Sequence, residues 1–254
     1  MGRSKAKYEL GHSHLERLVH YYHFLGERVD LDETTRVSSQ QLAQLLTMDD
    51  TQVRKDLAAI GVRGVPRLGY RAAEVVEAIR QVLGFDQIHR AILVGAGRLG
   101  GALAAYRGFV KYGLRIVGVF DQDLGKVGTT IGGHFVYSTN ELETVIERNN
   151  ARLAILAVPA ETCQALADRL VRAGMSGIWN FGPTTLTVPD GVAVRHEHIV
   201  VGMAELAYHL QNEPSSRLPV SQDTEYLPRP AVANPMQAQG SPRESACFTH
   251  HLAV

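Results

Sequence analysis

The feature that most constrains this chain is a glycine-rich turn between an apolar run and a helical stretch. The run Ala91–Val94 leads directly into Gly95-Ala96-Gly97-Arg98-Leu99-Gly100, and a helical stretch follows. In this setting the first glycine makes a tight turn, the second lets a pyrophosphate approach the backbone, and the third lets helix and strand pack closely. The pattern therefore predicts a strand–turn–helix unit that binds a dinucleotide.

An acidic residue stands about twenty positions further on, where such sites place one. Asp121 follows the apolar run Ile116–Phe120. Its carboxylate would accept hydrogen bonds from the adenine ribose and repel a 2′-phosphate, which favours NADH and NAD⁺ over NADPH and NADP⁺. A turn without ligand and a coenzyme A-binding module are the alternatives, although Asp121 suits a ribose diol better than a 3′-phosphate.

The glycine turn lies in a longer pattern of alternating elements between Ile88 and Leu210. Short apolar runs alternate there with helical stretches, as expected for βαβ units around a parallel sheet that is buried on both faces. These runs are Ala91–Val94, Ile116–Phe120, Leu153–Val158 and Gly177–Asn180, with a further short strand at Val192–Arg195. We therefore predict an α/β fold with a Rossmann-type domain.

Ligands bind at the carboxyl edge of such a sheet. Two of the predicted strand ends read Val158-Pro159-Ala160 and Asn180-Phe181-Gly182-Pro183, which offer an apolar surface and one amide. Neither supplies the histidine, lysine or carboxylate that a dehydrogenase needs to move a proton. We predict cofactor binding without catalysis. The alternative is an NAD(P)-dependent oxidoreductase with a helical accessory domain.

The segment before the sheet has the proportions of a helix-turn-helix. Ser38 with Gln41 predicts a capping box, and Asp49 or Asp50 can cap the next helix. That second helix directs polar side chains outward from its first turns, as a recognition helix in the major groove does. These side chains are Thr51, Gln52, Arg54 and Lys55.

A short hairpin is predicted after this helix, at Gly61–Tyr70. A wing of this kind can insert Arg63 or Arg67 into the minor groove. The formal net charge of the chain is zero, so the evidence for DNA binding is local: Asp56 is the only acid between Thr51 and Arg71. We predict a DNA-binding surface formed by Ser38, Thr51, Gln52, Arg54, Lys55, Arg63 and Arg67. A helical accessory or oligomerisation domain is the alternative.

The predicted organisation has three parts: a winged-helix DNA-binding domain at residues 1–87, a Rossmann domain at 88–211, and a proline-rich, disordered tail at 212–254. Cys163 and Cys247 are the two cysteines, and their positions suggest neither a disulfide framework nor a metal site. No apolar run approaches the length of a membrane span. We expect a cytoplasmic protein without a metal.

Specific motifs in both parts resemble the Rex family of bacterial redox-sensing transcriptional repressors, from about Leu15 to Leu210. In the first part they are Arg17-Leu18, Val37-Ser38-Ser39, Gln52-Val53-Arg54-Lys55-Asp56-Leu57 and Gly69-Tyr70. In the second they are Gly95 to Gly100, Tyr106, Phe120-Asp121, Lys126-Val127-Gly128, Val158-Pro159-Ala160 and Asn180-Phe181-Gly182-Pro183.

The resemblance implies a homodimer that exchanges a C-terminal helix near residues 198–211 and binds an inverted-repeat operator in double-stranded DNA. It implies that NADH and NAD⁺ compete for one site, with NADH releasing the DNA. It also implies a switch formed by residues matching Arg17, Tyr106 and His198, and it adds Lys126 to the cofactor-binding residues.

The chain departs from the family pattern in three places. Its wing, Gly64 to Gly69, is less rich in glycine and basic residues than usual. Gly182 stands where the family often has alanine. His198 stands where the family often has aspartate, and a histidine cannot pair with Arg17 as a carboxylate would. We expect the ligand-dependent step to depend on pH or to differ in detail.

Overall fold

In the computed structural model of this chain, residues 10–28, 32 and 34–212 are described. The described part of the chain divides into two units between Met203 and Ala204. The predicted disordered tail lies outside the described residues, except for Asn212.

Residues 12–83 form the N-terminal helical region, which contains four helices and two short strands. In chain order these are α1 (His12–Arg28), β1 (Arg36–Val37), α2 (Ser39–Leu45), α3 (Asp50–Ala59), β2 (Tyr70–Arg71) and α4 (Ala72–Leu83). β1 and β2 pair antiparallel. Side chains from all four helices meet in one core: Leu18, Tyr21, Leu25, Leu42, Val53, Leu57, Val75 and Ile79 are fully buried.

The caps predicted for α2 and α3 are present. Ser38 accepts a hydrogen bond from the backbone N–H of Gln41, and the Gln41 side chain accepts one from the backbone N–H of Ser38, which completes the capping box. Of the two candidate caps for α3, Asp49 takes the role and accepts from Thr51 N. These caps fix where the two helices of the helix-turn-helix begin.

Residues 89–196 form the sheet region. Its elements are β3 (His89–Val94), α5 (Arg98–Ala105), β4 (Leu114–Asp121), β5 (Thr130–Ile131), β6 (His134–Ser138), α6 (Leu142–Asn149), β7 (Leu153–Leu156), α7 (Ala160–Arg172), β8 (Gly177–Asn180) and β9 (Ala193–His196), with 3₁₀ helices at Arg107–Tyr112 and Thr139–Glu141. The strand order is β5-β6-β4-β3-β7-β8-β9. All neighbours are parallel except β5 and β6.

The parallel strands are buried on both faces, as the continuous apolar runs predict. Along β3, Ile92 and Val94 pack on the side of α6 and α7. Ala91 and Leu93 pack on the opposite side, together with Ala104 of α5. The predicted α/β architecture is confirmed, and the parallel arrangement places the carboxyl ends of six strands at one edge.

Two details of the sheet differ from the prediction. β5 and β6 were not predicted, because His134-Phe135-Val136-Tyr137-Ser138 mixes polar and apolar residues and buries only Val136. The strand predicted at Leu153–Val158 ends at Leu156. The residues that follow leave the sheet and line the site described below.

The last described element is α8 (Ile199–Asn212), which begins in the first unit and continues in the second. It exposes an unusual number of large apolar side chains. Val200, Val201 and Met203 are exposed before the unit boundary, and Leu206, Tyr208 and Leu210 are exposed after it. No described helix combines the length and apolarity needed to cross a bilayer.

Candidate functional site

The glycine turn between β3 and α5 has the geometry that its sequence predicts. Gly95 has a φ of +103°, and a Cβ at this position would lie 2.3 Å from the carbonyl oxygen of Ala157. A Cβ on Gly100 would lie 1.7 Å from the carbonyl oxygen of Gly95. Beside Gly97, by contrast, there is nothing within 4 Å of the Cβ position. Two glycines thus close the turn, and the third leaves backbone open to a ligand.

The helix that follows presents its N-terminus at this opening. α5 begins at Arg98 after Gly97, and no side chain caps it. The free N–H groups and the positive end of the helix dipole are therefore available to phosphate oxygens. Arg98 and Leu99 of the motif are exposed here, whereas Ala96 and Gly100 are buried beneath the turn.

Asp121, at the carboxyl end of β4, faces the glycine turn and is only 9% exposed. Its Oδ2 accepts hydrogen bonds from Ala96 N at 2.8 Å and from Lys126 Nζ at 3.1 Å, while Oδ1 accepts from Asp123 N at 2.8 Å. Burial alone would raise the pKa of Asp121, but these hydrogen bonds hold it below its ordinary value. The carboxylate is therefore ionised, and Lys126 is held beside it.

A cavity of about 630 Å³ opens next to these groups, on the α7 side of the sheet edge. It brings together six of the predicted cofactor-binding residues: Gly95, Gly97, Asp121, Lys126, Val158 and Pro159. It also contains residues that the sequence analysis did not assign to the site, namely Thr139, Glu161, Thr162, Leu166 and Arg169. The last four could have been found from helical spacing, because positions three and four apart share one face of α7.

Asn180 has a different environment from the one predicted. It is fully buried, and its amide nitrogen donates to Thr184 O at 2.7 Å and to His196 Nδ1 at 3.1 Å. Its Oδ1 accepts from Gly182 N at 3.0 Å. These bonds hold the loop after β8 against β9. The Asn180 side chain therefore supports the loop at the edge of the site from the protein interior.

The contact with Cys163 explains why residue 182 is a glycine in this chain. A Cβ on Gly182 would lie 2.3 Å from Cys163 Sγ, so the thiol occupies the space that an alanine side chain would need. The thiol is buried and lies 3.4 Å from the carbonyl oxygen of Pro159. Burial raises the pKa of Cys163, with a smaller contribution from Glu161, which keeps the group a thiol.

Four aromatic rings, which we call the aromatic row, extend from the end of α5 across the sheet edge. Tyr106 packs on Phe109 (4.9 Å between ring centroids), Phe109 on Trp179 (5.8 Å) and Trp179 on Phe181 (5.0 Å). Tyr106 itself is 56% exposed. The row connects the predicted switch residue Tyr106 to the predicted nicotinamide surface at Phe181.

The predicted switch residues do not meet within the single chain, as far as the described residues show. Arg17 in α1 pairs with Asp56 of α3, Tyr106 begins the aromatic row, and His198 stacks on His196 with ring centroids 5.8 Å apart. Burial lowers the pKa of His196, and His198 lowers it further. The grouping of these three residues therefore stays a prediction.

Three of the seven predicted DNA-binding residues, Ser38, Arg54 and Arg67, line one groove in the N-terminal helical region. A cavity of about 570 Å³ separates the helix-turn-helix from the wing, and its lining includes Arg36, Ser38, Ser39, Arg54 and Arg67. The wing is short: Val65 and Gly69 form one antiparallel bridge, and Arg67 at its tip has a φ of +65°. Basic side chains thus stand on both walls of the groove.

The predicted DNA-binding side chains differ in their exposure and in the hydrogen bonds that they already make within the chain. Thr51, Lys55 and Arg63 are exposed. Arg54 is ion-paired with Asp50, and its Nη2 donates to Thr51 Oγ1 at 3.1 Å. Ser38 uses its hydroxyl in the cap of α2. To contact DNA, Arg54 would have to exchange its partner within α3, whereas Lys55 and Arg63 are exposed already.

The environment of Asp56 was not predicted from the sequence. Asp56 was expected only as an isolated acid in a basic stretch, but it is 1% exposed and its carboxylate accepts four hydrogen bonds. Arg17 donates from Nε (2.6 Å) and Nη2 (2.7 Å), Gln52 from Nε2 (2.8 Å) and Tyr21 from its hydroxyl (3.1 Å). Burial would raise the pKa of Asp56, but the bonds from Arg17 and Gln52 lower it below its ordinary value.

Comparisons with known proteins match both parts of the chain. A family model described as "Putative DNA-binding protein N-terminus" covers residues 12–58, and one described as "CoA binding domain" covers residues 86–184. The redox-sensing transcriptional repressor Rex of Carboxydothermus hydrogenoformans is 42% identical over 78% of this chain and 95% of its own length. That of Rhodopirellula baltica is 38% identical over 80% and 86%.

Solved structures agree with these matches. RSP, a Rex-family repressor, in complex with β-NAD⁺ and operator DNA has a TM-score of 0.75 and 34% identity over 80% of this chain and 94% of that one. RSP in complex with β-NADH gives a TM-score of 0.73 over 81% and 96%. The relatives are named as transcriptional repressors, so the prediction of a regulator rather than an enzyme is confirmed. With this identity maintained over nearly the full length of the relatives, the chain belongs to the Rex family of redox-sensing transcriptional repressors.

Proposed function

We propose that this chain binds an inverted-repeat operator as a homodimer and releases it when NADH rises relative to NAD⁺. One observation carries the proposal: a single chain combines an open glycine turn facing an ionised Asp121 with a helix-turn-helix surface, on the fold of a repressor solved with NAD⁺, NADH and operator DNA. We assign DNA binding to residues 1–87 and NADH binding to residues 88–211.

The cofactor site is proposed to run along the sheet edge from Asp121 to Phe181. The adenine ribose would meet Asp121 and Lys126, and the pyrophosphate would meet Gly97 and the N-terminus of α5. The nicotinamide would lie near Val158, Pro159, Phe181 and Gly182, supported from below by Asn180. These apolar surroundings favour the neutral ring of NADH over the charged ring of NAD⁺.

The match to a CoA binding domain model raises coenzyme A as a second ligand class. Asp121 argues against it, because its carboxylate is buried, ionised and aimed at the place of the adenine ribose. A phosphate on that ribose, whether the 2′-phosphate of NADP⁺ or the 3′-phosphate of coenzyme A, would face a negative charge. We therefore propose NADH and NAD⁺ as the physiological pair.

The DNA interface is proposed to place α3 in the major groove and the wing in the minor groove. Gln52 and Arg54 would contact base edges. Lys55, Thr51 and Ser38 would contact the backbone, and Arg63 and Arg67 would reach the minor groove. The groove between α2 and the wing has room for a sugar–phosphate strand with basic groups on either side. We infer from the proposed DNA binding that the protein acts in the cytoplasm, where bacterial chromosomal DNA lies.

The homodimer is supported by α8. Six large apolar side chains of this helix are exposed, and a stable soluble protein rarely leaves such a surface uncovered. Exchange of α8 between two chains would bury it and bring His198 of each chain toward the DNA-binding domain of the other. Two recognition helices would then address half-sites about 34 Å apart.

The switch is proposed to differ from the family pattern at His198. Arg17 already donates to the carboxylate of Asp56 at 2.6 and 2.7 Å. A histidine at position 198 offers no carboxylate that would compete with Asp56 for Arg17. We therefore expect NADH to act through Tyr106 and the aromatic row, and His198 to make the response depend on pH.

Fluorescence anisotropy tests the proposal. The purified chain is bound to a labelled AT-rich inverted-repeat duplex and titrated with NADH and then with NAD⁺, at fixed salt and at pH 6 and 8. We expect micromolar NADH to release the duplex and NAD⁺ to restore binding. By reciprocity, operator DNA should weaken NADH binding by the same factor. His198→Asp should reduce the difference between the two pH values.

Gly95→Ala is the matched control, because the added Cβ would strike Ala157 O and the residue would keep a positive φ. This variant should bind the duplex and ignore NADH. A wild-type protein that binds the duplex but responds to neither nucleotide would contradict the sensor proposal. Failure to bind any inverted-repeat duplex would contradict the repressor proposal itself.

A further inference from the structure

The amide of Gln52 is held in one orientation by a buried carboxylate. Gln52 and Asp56 lie one turn apart on α3, and Nε2 of Gln52 donates to Oδ1 of Asp56 at 2.8 Å. A carboxylate can only accept hydrogen bonds, so the end of the amide that faces Asp56 must be the NH₂ group. The oxygen Oε1 consequently points away from Asp56.

Asp56 can act in this way because it is itself fixed from the other side. The guanidinium of Arg17 donates to both of its oxygens, and Tyr21 adds a third bond from α1. The carboxylate is 1% exposed, so water does not compete for it. A continuous set of bonds thus runs from Arg17 in the first helix, through Asp56, to the partly exposed Gln52 on the outer side of α3.

This orientation has a consequence for base readout. With one amide hydrogen bound to Asp56, Gln52 still offers Oε1 as an acceptor and its second amide hydrogen as a donor. Adenine presents a donor at N6 beside an acceptor at N7 in the major groove, which matches this pair. Guanine presents two acceptors, N7 and O6, and would place O6 against Oε1. A glutamine whose amide is not held can instead turn its NH₂ group toward guanine, so that N7 and O6 face a donor and Oε1 points away.

We propose that Asp56 is a positioning residue for operator recognition, which holds the Gln52 amide so that it selects adenine over guanine at one base pair of each half-site. The inference rests on the proposed function, since it assumes that α3 enters the major groove. It also gives Arg17 a role within its own chain: Arg17 keeps Asp56 ionised and in place.

A scan of operator variants tests the proposal. Each base pair of one half-site is replaced in turn, and the Kd of every duplex is measured by anisotropy at one salt concentration. For the wild type we expect one position where replacing A·T by G·C weakens binding by about 5- to 100-fold. Gln52→Ala should lose this discrimination at that position alone.

Asp56→Asn is the decisive variant. The introduced asparagine can offer Gln52 either an oxygen or an NH₂ group, so the orientation of the Gln52 amide is no longer fixed. We expect the adenine preference to fall to about twofold at the same position that Gln52→Ala affects, while other positions keep theirs. Lys55→Ala is the control: loss of a phosphate contact should weaken all duplexes alike and reduce the salt slope by about one.

A measurement on the wild type keeps the test independent of variant folding. One side-chain amide proton of Gln52 should exchange slowly in the free protein, and the exposed Gln40 gives the reference rate. Exchange at the Gln40 rate would overturn the proposal, as would an Asp56→Asn protein that retains the adenine preference or weakens every duplex equally. A wild type that binds no operator would instead refute the proposed function, and this inference with it.

Discussion

The hydroxyl of Tyr112 lies 3.0 Å from Nε2 of His23, although 89 positions separate the two residues. Tyr112 ends the 3₁₀ helix that starts directly after Tyr106, and His23 lies in α1. The Tyr112 ring also packs edge-on against Phe85, with 5.0 Å between centroids. A six-residue helix therefore joins the aromatic row to the N-terminal helical region of the same chain.

This relationship predicts the effect of Tyr112→Phe, which removes the hydroxyl and keeps the ring. We expect NADH affinity to remain and the effect of NADH on operator binding to shrink. A single net hydrogen bond contributes about 0.5–1.5 kcal/mol, so the NADH-induced change in operator Kd should fall by about 2- to 10-fold. Anisotropy titrations with and without saturating NADH measure this change.

Tyr137→Phe provides the control, since the Tyr137 hydroxyl contacts Arg148 on the other side of the sheet region. In this variant the NADH-induced change in operator Kd should match that of the wild type. If this change is equal in Tyr112→Phe and the wild type, the 3₁₀ helix does not transmit the effect of NADH to the DNA-binding region.

The contact between Gly182 and Cys163 predicts that the alanine common in the family is harmful here. In Gly182→Ala, the new Cβ would lie 2.3 Å from Cys163 Sγ in a buried loop. Overpacking of this kind costs about 1–3 kcal/mol of the free energy of unfolding, or roughly 2–10 °C in Tm for a chain of this size. Thermal unfolding followed by circular dichroism measures it.

Cys163→Ala should largely restore the stability of Gly182→Ala, because it removes the atom that the new methyl group meets. The double-mutant cycle isolates this interaction from the cost of losing the thiol. If the effects of the two substitutions on the free energy of unfolding are additive, the proposed steric relationship is wrong.

His196 predicts a pH dependence of stability. Burial and the neighbouring His198 hold its pKa below the ordinary value, and its Nδ1 accepts a hydrogen bond from Asn180, which requires the neutral ring. The unfolded chain then binds more protons than the folded one near pH 6, so stability rises with pH. The contribution of His196 is complete above about pH 6.5. It is lost as the pH falls through the lower folded-state pKa.

Urea unfolding at several pH values between 5 and 8 measures this effect. His196→Asn keeps an acceptor for Asn180 but does not titrate, so its stability should vary less with pH than that of the wild type. His134→Gln, on β6 at the far side of the sheet, serves as the reference. A wild type and a His196→Asn variant with parallel pH profiles would contradict the prediction.

The position of Asp121 predicts that the site discriminates NADH from NADPH. In Asp121→Asn the repulsion of a 2′-phosphate disappears, while Lys126 loses its carboxylate partner at 3.1 Å. Loss of hydrogen bonds from a charged group costs about 1.5–3 kcal/mol, so NADH affinity should fall by about 10- to 150-fold. NADPH affinity should fall less or rise. Calorimetric titration with both nucleotides tests this, and an unchanged ratio of the two affinities would contradict the assigned role.

Local patterns were enough to predict much of this protein. The glycine turn, Asp121, the caps at Ser38 and Asp49, and the buried run of β3 each depend on neighbours within a few residues or on one sheet edge. Their chemistry leaves few alternatives, because only glycine fits the positive φ of Gly95 and only a good acceptor caps a helix. The family motifs then connected the two parts of the chain.

The sequence determined that a dinucleotide turn and a helix-turn-helix exist, and roughly where each begins. Only the tertiary structure decided what contacts what. It buried Asp56 between Arg17 and Gln52, placed Cys163 against Gly182, brought Tyr112 to His23, and turned Asn180 inward to hold a loop. Most of these partners are far apart along the chain, and their contacts follow from the packing of helices and strands rather than from any local period. Hydrogen bonds from these partners outweigh the effect of burial and keep Asp56 and Asp121 ionised, which no residue type determines alone.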